Sequence, residues 1–476
     1  MIDLNEILYD YQREDAASML SDPLKMNASE MGTGKTEVTI KTIQDSKSKK
    51  VLIVAPSAMT LEWRDRLIKY GEEDISLPYD HGYRLSKEHF KTKYLIVNYE
   101  MLRIPPIRRG RRKKNAKTPN VYTRVLEIPK WDTIVFDEAH RLKNRDAQQT
   151  RGAVELIDSQ FLKERSSDMR IHMLSGTMFL NYPNELWSML NMLYPDDYND
   201  YDSFTRQYCH VLPTFWGPRI VGAKKDNLPE LRSRLSKIMI RREKEDVLKD
   251  LPPKTYRQVP LAMTGQQLKA YKDLETDLWA YLETGESITA PNGLALTMKL
   301  RQVSLDMKLL GIDITSPKTL AVKEIVKDVI DSGKKIVVFS WFASYLEMLK
   351  QELKDYKVEL ISGQAGDESS RREARLRFQD GDSQVMLGSI TTMIGIDLTK
   401  ADTCIFTDRF WVPNTNFQAE DRLHRVGQKG NVLVIDLVME DSIDQDMRTV
   451  LLRKSKAFNE TIAIQRTVEL MKERRG

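Results

Sequence analysis

Short apolar runs alternate with helical patterns through both halves of the chain. In the first half they are Val51-Leu52-Ile53-Val54, Tyr94-Leu95-Ile96-Val97, Thr133-Ile134-Val135-Phe136 and Ile171-His172-Met173-Leu174. In the second they are Ile336-Val337-Val338-Phe339, Val385-Met386-Leu387 and Cys404-Ile405-Phe406. These runs lack a polar side, as strands do when helices cover both faces of a parallel sheet. Two α/β units are therefore expected. From about Asp196 to Pro317 the pattern changes to longer helical segments, with Leu268, Tyr271, Leu274, Leu278 and Tyr281 three and four residues apart. Leu251-Pro252-Pro253 breaks that region, so the boundary is placed there. This gives units 1–250 and 251–476, with helical insertions at about 196–240 and about 264–316. Ser442 and Gln445 are spaced as a capping box before Ile443, Met447, Val450 and Leu451. They predict C-terminal helices within 441–476 that pack back onto one or both units.

Length agrees with that division, because 476 residues exceed what a single core usually fills. No apolar run is long enough to span a bilayer, and Met1-Ile2-Asp3-Leu4-Asn5-Glu6 has no leader pattern. A chain neither secreted nor membrane-inserted, and so cytoplasmic, is expected. The two cysteines, Cys209 and Cys404, form no CxxC pair and read as free thiols rather than zinc ligands. A net charge of +5 identifies no partner by itself. Its distribution is more informative: Arg108, Arg109, Arg111, Arg112, Lys113, Lys114 and Lys117 lie among Pro105, Pro106, Gly110 and Pro119 with no acidic residue between Arg103 and Arg124. The prolines and glycine make this a loop, either a solvated insertion or a phosphate contact.

Gly32-Thr33-Gly34-Lys35-Thr36 follows the apolar approach Leu24 to Ala28 and precedes a helical stretch, the context of a phosphate-binding loop. The glycines let backbone N–H groups close around phosphate oxygens, Lys35 neutralises β and γ charge, and the Thr36 hydroxyl is placed to ligate Mg²⁺. The strict pattern has glycine where Ser29 stands. Asp137-Glu138-Ala139-His140 directly follows the apolar run ending at Phe136, and carboxylates at the carboxyl end of a parallel strand point into the ligand crevice. Asp137 would hold Mg²⁺, and Glu138 would orient and deprotonate an attacking water. A helix N-cap also explains paired acids, but only an ATP site explains both segments.

Glu30-Met31-Gly32-Thr33-Gly34-Lys35-Thr36 together with Asp137-Glu138-Ala139-His140 resembles motifs I and II of the SNF2 branch of the superfamily 2 helicases and translocases. Tyr11-Gln12 resembles the family's adenine-reading segment, Val54-Ala55-Pro56 with Trp63 its motif Ia, and Asn98-Tyr99-Glu100 its motif Ib. Arg141-Leu142-Lys143-Asn144 resembles the SNF2 extension of motif II, and Leu174-Ser175-Gly176-Thr177 resembles motif III. Ile240-Arg241-Arg242 and Leu300-Arg301-Gln302 resemble segments on either side of the lobe boundary. Val338-Phe339-Ser340 resembles motif IV, with Gly363, Arg371 and Phe378 after it. Gly388 to Leu398 stands at motif V, and Gln418-Ala419-Glu420-Asp421-Arg422-Leu423-His424-Arg425-Val426-Gly427-Gln428 resembles motif VI in its SNF2 spelling.

The resemblance implies two RecA-like lobes with SNF2-type helical insertions. It implies nucleotide contacts at Gln12, Gly32, Thr33, Gly34, Lys35, Thr36, Gly395, Asp397 and Gln418, and catalysis by Lys35, Asp137, Glu138, Arg422 and Arg425. The two arginines, three apart and so one helical turn, are expected as arginine fingers on the γ-phosphate from the opposite lobe. Coupling is expected through His140, Ser175 and Thr177. Nucleic-acid contacts are expected at Pro56, Trp63, Asn98, Ser340, Gly363 and Trp411, with Arg109, Arg111, Arg112 and Lys113 of the basic loop. Motif V departs from many members at Gly395-Ile396-Asp397-Leu398, which resembles broader superfamily 2 helicases. With no segment left over beyond the motor, a minimal bacterial or viral-type member is implied. The implied function is an ATP- and Mg²⁺-dependent translocase or helicase on double-stranded DNA. A single-stranded DNA or RNA helicase, an inactive DNA-binding clamp, and a motor subunit of a defence or repair complex remain as alternatives.

Overall fold

The computed structural model describes residues 3–78, 85, 87–103, 129–163, 169–176, 182–214, 217–249, 251–283, 291–363, 368–393, 396–452 and 470–471. The chain divides into two compact units, Met1–Lys249 and Asp250–Gly476.

The first unit is built on strands β1 (Leu24–Asn27), β2 (Val51–Ala55), β3 (Ile75–Ser76), β4 (Tyr94–Asn98), β5 (Thr133–Asp137) and β6 (Arg170–Leu174). They are followed by β7 (Cys209–Thr214), β8 (Gly217–Ala223) and β9 (Met239–Ile240). Its main sheet has the order β3-β4-β2-β5-β6-β1-β9, with every pairing parallel. Every residue of β2, β4 and β5 is buried. Alternation explains why: Leu52, Val54, Leu95, Val97, Ile134 and Phe136 enter one apolar layer, while Val51, Ile53, Ala55, Tyr94, Ile96 and Val135 enter the other. Helices Asp10–Ser21, Lys35–Ser46 and Ser57–Lys69 cover the second layer; Gln148–Lys163, Trp187–Leu193 and Leu228–Ile238 cover the first.

The segment expected as a helical insertion over 196–240 is only partly helical. Between helices Tyr201–Tyr208 and Leu228–Ile238 stands an antiparallel hairpin of β7 and β8, in which Pro213 faces Pro218. Prolines and the β-branched Val211, Ile220 and Val221 suit extended backbone better than helix.

The second unit contains β10 (Lys254–Leu261), β11 (Lys335–Ser340), β12 (Val358–Ile361), β13 (Val385–Ser389), β14 (Ala401–Phe406) and β15 (Val432–Met439), in the order β10-β15-β14-β11-β13-β12. All pairings are again parallel. The two sheet faces repeat the alternation, with Val337, Phe339, Met386 and Cys404 on one side and Ile336, Val338, Val385, Leu387 and Ile405 on the other. β10 begins right after the Pro252-Pro253 break. Its Thr255, Arg257 and Gln258 leave no apolar run to announce it, because it is a largely exposed edge strand.

Helices Gly265–Glu283 and Pro291–Leu305 fall in the expected insertion. They share a cluster with the C-terminal helix Ile443–Leu452 through Tyr271, Leu278, Leu300, Val303, Ile443, Met447 and Val450. The predicted cap is present in shifted form. Ser442 Oγ accepts from the Asp444 N–H at 3.2 Å, and Gln445 Oε1 accepts from the Asp441 N–H at 2.9 Å. Both cysteines are buried and free. Among the described residues, no helix is long and apolar enough to cross a membrane, and no group of three or more His, Cys, Asp or Glu side chains gathers as a metal cluster.

Candidate active site

The phosphate loop leaves β1 at Asn27 and enters the helix Lys35–Ser46. Gly32 and Gly34 have φ of +78° and +85°, the left-handed region. The backbone calls for glycine at 34, and a Cβ there would displace the Gln12 amide, whose Nε2 stands 2.0 Å from its position. The Gln12 amide and the Tyr11 hydroxyl each donate to the Thr33 carbonyl at 2.9 Å, tying the expected adenine segment to the loop. Lys35 Nζ donates to the carbonyls of Ser29 at 2.8 Å and Glu30 at 3.0 Å, which holds the ammonium over the loop. Thr36 is half-buried in the first helical turn.

Ser29, the departure from the strict loop pattern, bonds to a distant segment. Its Oγ accepts the Arg242 N–H at 3.1 Å, the Arg242 carbonyl accepts from the Glu30 N–H at 2.9 Å, and the Glu30 carboxylate accepts from the Lys244 N–H at 2.9 Å. The Arg242 guanidinium reaches Asp15 at 2.7 Å, on the helix that carries Gln12. In the sequence Ile240-Arg241-Arg242 stands out only as a boundary segment; no local pattern shows that it fastens the phosphate loop.

β6 lies between β1 and β5, so its carboxyl end separates the loop from the acids. Asp137 and Asn27 both pair in register with Leu174. The Asp137 carboxylate accepts the Trp63 indole N–H at 2.8 Å and the Glu138 N–H at 2.9 Å, and the Asp137 carbonyl accepts the Tyr99 hydroxyl at 2.8 Å. Burial, and then the charge of Glu138, push the Asp137 carboxyl up to about 6 against the opposing pull of Trp63 and Lys35. Glu138 has φ +52°, a conformation that costs a non-glycine residue about 1 kcal/mol or more. Its Oε2 lies 3.1 Å from His140 Nδ1 and 3.4 Å from Ser175 Oγ, and His140 and Ser175 are themselves 3.0 Å apart. A Cβ on Gly176 would stand 3.2 Å from the Met31 nitrogen and 3.5 Å from Lys35 Nζ. The phosphate loop, the acids and the Ser175 turn thus meet at the carboxyl ends of the adjacent strands β1, β5 and β6. Thr177 lies outside the described residues.

In the second unit the expected geometry of the arginines is corrected. The helix Pro413–Glu420, which carries Gln418, ends before Arg422, so Arg422 and Arg425 belong to a run of turns rather than to one helical face. Backbone N–H groups of Leu423 and His424 both return to the Glu420 carbonyl, at 3.1 and 3.2 Å. Arg422 is buried and its carbonyl accepts the Leu398 N–H at 2.9 Å, while Arg425 forms an ion pair with Asp397. Gly395 lies outside the described residues.

Glu420 fixes where these turns begin. Its buried carboxylate meets Arg409 at 2.6 Å, Lys254 at 3.0 Å and the Tyr256 hydroxyl at 2.8 Å, and Arg409 continues to Asp436 at 2.6 Å. Burial alone would raise the Glu420 carboxyl, but Arg409 and Lys254 outweigh it and hold it below its ordinary value. His424 Nε2 lies 2.8 Å from the Pro252 carbonyl, and the Gln428 amide donates to the carbonyls of Ala401 and Leu423. Removing one member of such a buried cluster leaves charge uncompensated, so Glu420→Ala is expected to destabilise the protein by roughly 3 kcal/mol. Urea unfolding would measure it; a change below about 1 kcal/mol, the range of exposed pairs, would show the cluster to be solvated.

Five expected nucleic-acid contacts, Trp63, Ser340, Trp411, Pro56 and Asn98, are also corrected in that their side chains are internal. Trp63 is fully buried and donates to Asp137, since its helix packs that face onto the sheet. Ser340 is fully buried against Asp408. Trp411 is 1% exposed and packs on the Arg301 guanidinium at 4.7 Å. Pro56 and Asn98 are buried at the ends of β2 and β4, where Asn98 accepts the Met101 N–H and donates to Ser57. Gly363 is exposed. Arg109, Arg111, Arg112 and Lys113 lie outside the described residues.

A family model described as the SNF2-related domain matches residues 11–309. The chain belongs to the SNF2-related family. The model of the helicase conserved C-terminal domain matches residues 318–427 of this SNF2-related chain. Similar proteins include chromodomain-helicase-DNA-binding protein 8 of Rattus norvegicus, 27% identical over 467 residues, covering 88% of this chain and 17% of that protein. The DNA annealing helicase and endonuclease ZRANB3 of Homo sapiens is 28% identical over 449 residues, covering 92% of this chain and 38% of that protein. The chain thus spans well under half of these relatives. Among solved structures, the Sulfolobus solfataricus SWI2/SNF2 ATPase core in complex with dsDNA has 23% identity and a TM-score of 0.43, covering 98% of this chain and 96% of that one.

Proposed function

We propose that this chain hydrolyses ATP and uses the energy to move along double-stranded DNA. The observation that carries the reading is the shared carboxyl end of β1, β6 and β5, at which Lys35, Asp137, Glu138 and the His140–Ser175 pair converge. The residues fit a Mg²⁺-bound triphosphate: two glycines are held in the left-handed region, and Gly176 lets its backbone pack tightly beside the loop. Lys35 would leave its loop carbonyls to bind β and γ phosphate oxygens, and Thr36 and Asp137 would hold Mg²⁺. Bound there, the metal would neutralise phosphate charge. Glu138 would take the proton as a water oxygen bonds to the γ-phosphorus and the bond to the ADP oxygen breaks. His140 and Ser175 hold the Glu138 carboxylate in place. Turnover is proposed to need Arg422 and Arg425 of the second unit as well.

The motif VI spelling and the DNA-directed names of the relatives support duplex DNA as the track. Contacts to the backbone carry no sequence information, so binding is expected to be sequence-independent and salt-sensitive. The test compares ATP hydrolysis by the wild type and Lys35→Ala with duplex DNA, single-stranded DNA and RNA over a range of salt. Duplex DNA is expected to stimulate the wild type most, and Lys35→Ala to bind DNA without turnover. Greater stimulation by RNA or single strands would replace the track. Equal turnover by both proteins would remove the reading.

A further inference from the structure

The helix Asp10–Ser21 is fastened to the phosphate loop twice. Gln12 and Asp15 lie one helical turn apart and so share a face. At the first fastening the Gln12 amide and the Tyr11 hydroxyl hold the Thr33 carbonyl, late in the loop. The second is made through Arg242. Two N–H groups of its guanidinium donate to Asp15 Oδ1, from Nε at 2.9 Å and from Nη2 at 2.7 Å, and Nη2 also reaches Glu14 at 3.1 Å. The backbone of the same residue holds the start of the loop, with its N–H on Ser29 Oγ and its carbonyl on the Glu30 N–H. β9, which leads into Arg242, is itself paired with β1, which leads into the loop. The side chain of Arg242 therefore fixes the helix, while its backbone fixes the loop. Asp15 is buried, and burial pushes its carboxyl above the ordinary range against the pull of Arg242. Without the guanidinium this carboxyl must either protonate or find water, and both outcomes release the helix from the segment 240–244.

We propose that Arg242 is a positioning residue that holds the base-reading helix at a set distance from the phosphate loop, and thereby gives the site its selectivity for adenine nucleotides. This rests on the function proposed above, with Gln12 as the residue that meets the base. Each end of the Gln12 amide makes one bond within the chain, to the Tyr9 N–H and the Thr33 carbonyl, which leaves a second lone pair and a second N–H for a base edge. Such bonds weaken steeply with misalignment. Base and phosphates belong to one ligand, so both can be met at once only if helix and loop keep a fixed spacing. Truncating Arg242 removes the grip on the helix and retains the backbone grip on the loop. Base recognition should therefore be lost and phosphate recognition spared.

The experiment measures binding of ADP, GDP and pyrophosphate in the presence of Mg²⁺ by displacement of a fluorescent ADP analogue, so no turnover is needed. The wild type is expected to bind ADP about tenfold or more tightly than GDP. Arg242→Ala is expected to lose roughly tenfold in ADP affinity, bringing ADP close to GDP, while pyrophosphate stays within about twofold of the wild type. Arg242→Lys keeps a cation beside Asp15 and should recover part of the preference. Asp15→Asn removes the charge but keeps the shape; it serves where Arg242→Ala does not fold and should move the ratio of ADP to GDP in the same direction. An Arg242→Ala protein that retains the wild-type preference, or that loses ADP, GDP and pyrophosphate by one common factor, overturns the inference alone. So does a wild type that binds ADP and GDP equally. A wild type that binds none of the three overturns the functional reading as well.

Discussion

Arg425→Ala is expected to lower ATP turnover by roughly three to five orders of magnitude while nucleotide still binds. The argument starts from charge. A guanidinium remains protonated at any working pH and presents several N–H groups in a plane, so it can stabilise phosphoryl oxygens as their charge shifts during transfer. Arg425 is aimed by its ion pair with Asp397 and by turns that Glu420, His424 and Gln428 fasten to the rest of the second unit. Because the fork geometry matters as well as the charge, Arg425→Lys should restore little. Single-turnover hydrolysis, set beside binding of a fluorescent nucleotide, separates chemistry from affinity. Turnover in Arg425→Ala above about a tenth of wild type, a loss of less than 1.4 kcal/mol of barrier, would exclude the role.

Glu138→Gln should reduce kcat by roughly two to four orders of magnitude with little change in KM for ATP. Glutamine keeps the size of the side chain and its approach to His140 and Ser175 but cannot accept the proton of an attacking water. Glu138 has a left-handed backbone and its carboxylate stands 3.1 Å from His140 Nδ1 and 3.4 Å from Ser175 Oγ. Steady-state kinetics with saturating duplex DNA decide the matter. A parallel rise in KM would instead assign Glu138 to nucleotide binding.

What was legible beforehand was local. The strands at 51–54, 94–97, 133–136 and 171–174 could be read because a strand buried on both faces is a near-continuous apolar run, with Thr133 and His172 the polar exceptions here. Gly32, Gly34 and Lys35 could be read because the loop conformation depends on residues adjacent in the chain. The exposed edge strand β10 and the hairpin of β7 and β8 escaped notice because neither needs a continuous apolar run. Helical spacing also misled at Arg422 and Arg425, where the helix ends at Glu420, the residue whose carboxylate is held by Arg409 and Lys254.

The amino-acid order by itself therefore determined the two parallel α/β units, the phosphate loop and the acids at the end of a strand, since each follows from neighbouring residues and their periodicity. Only the tertiary structure decided that Trp63 turns inward to Asp137, that Ser29 and Asp15 are bound by Arg242, and that Ser340 and Trp411 are internal. Those pairings depend on which strands lie side by side, β4-β2-β5-β6-β1-β9 in the first unit and β15-β14-β11-β13 in the second. Strand order is settled by burial and hydrogen bonding across the whole sheet, so a partner more than 200 positions away leaves no mark in the local pattern.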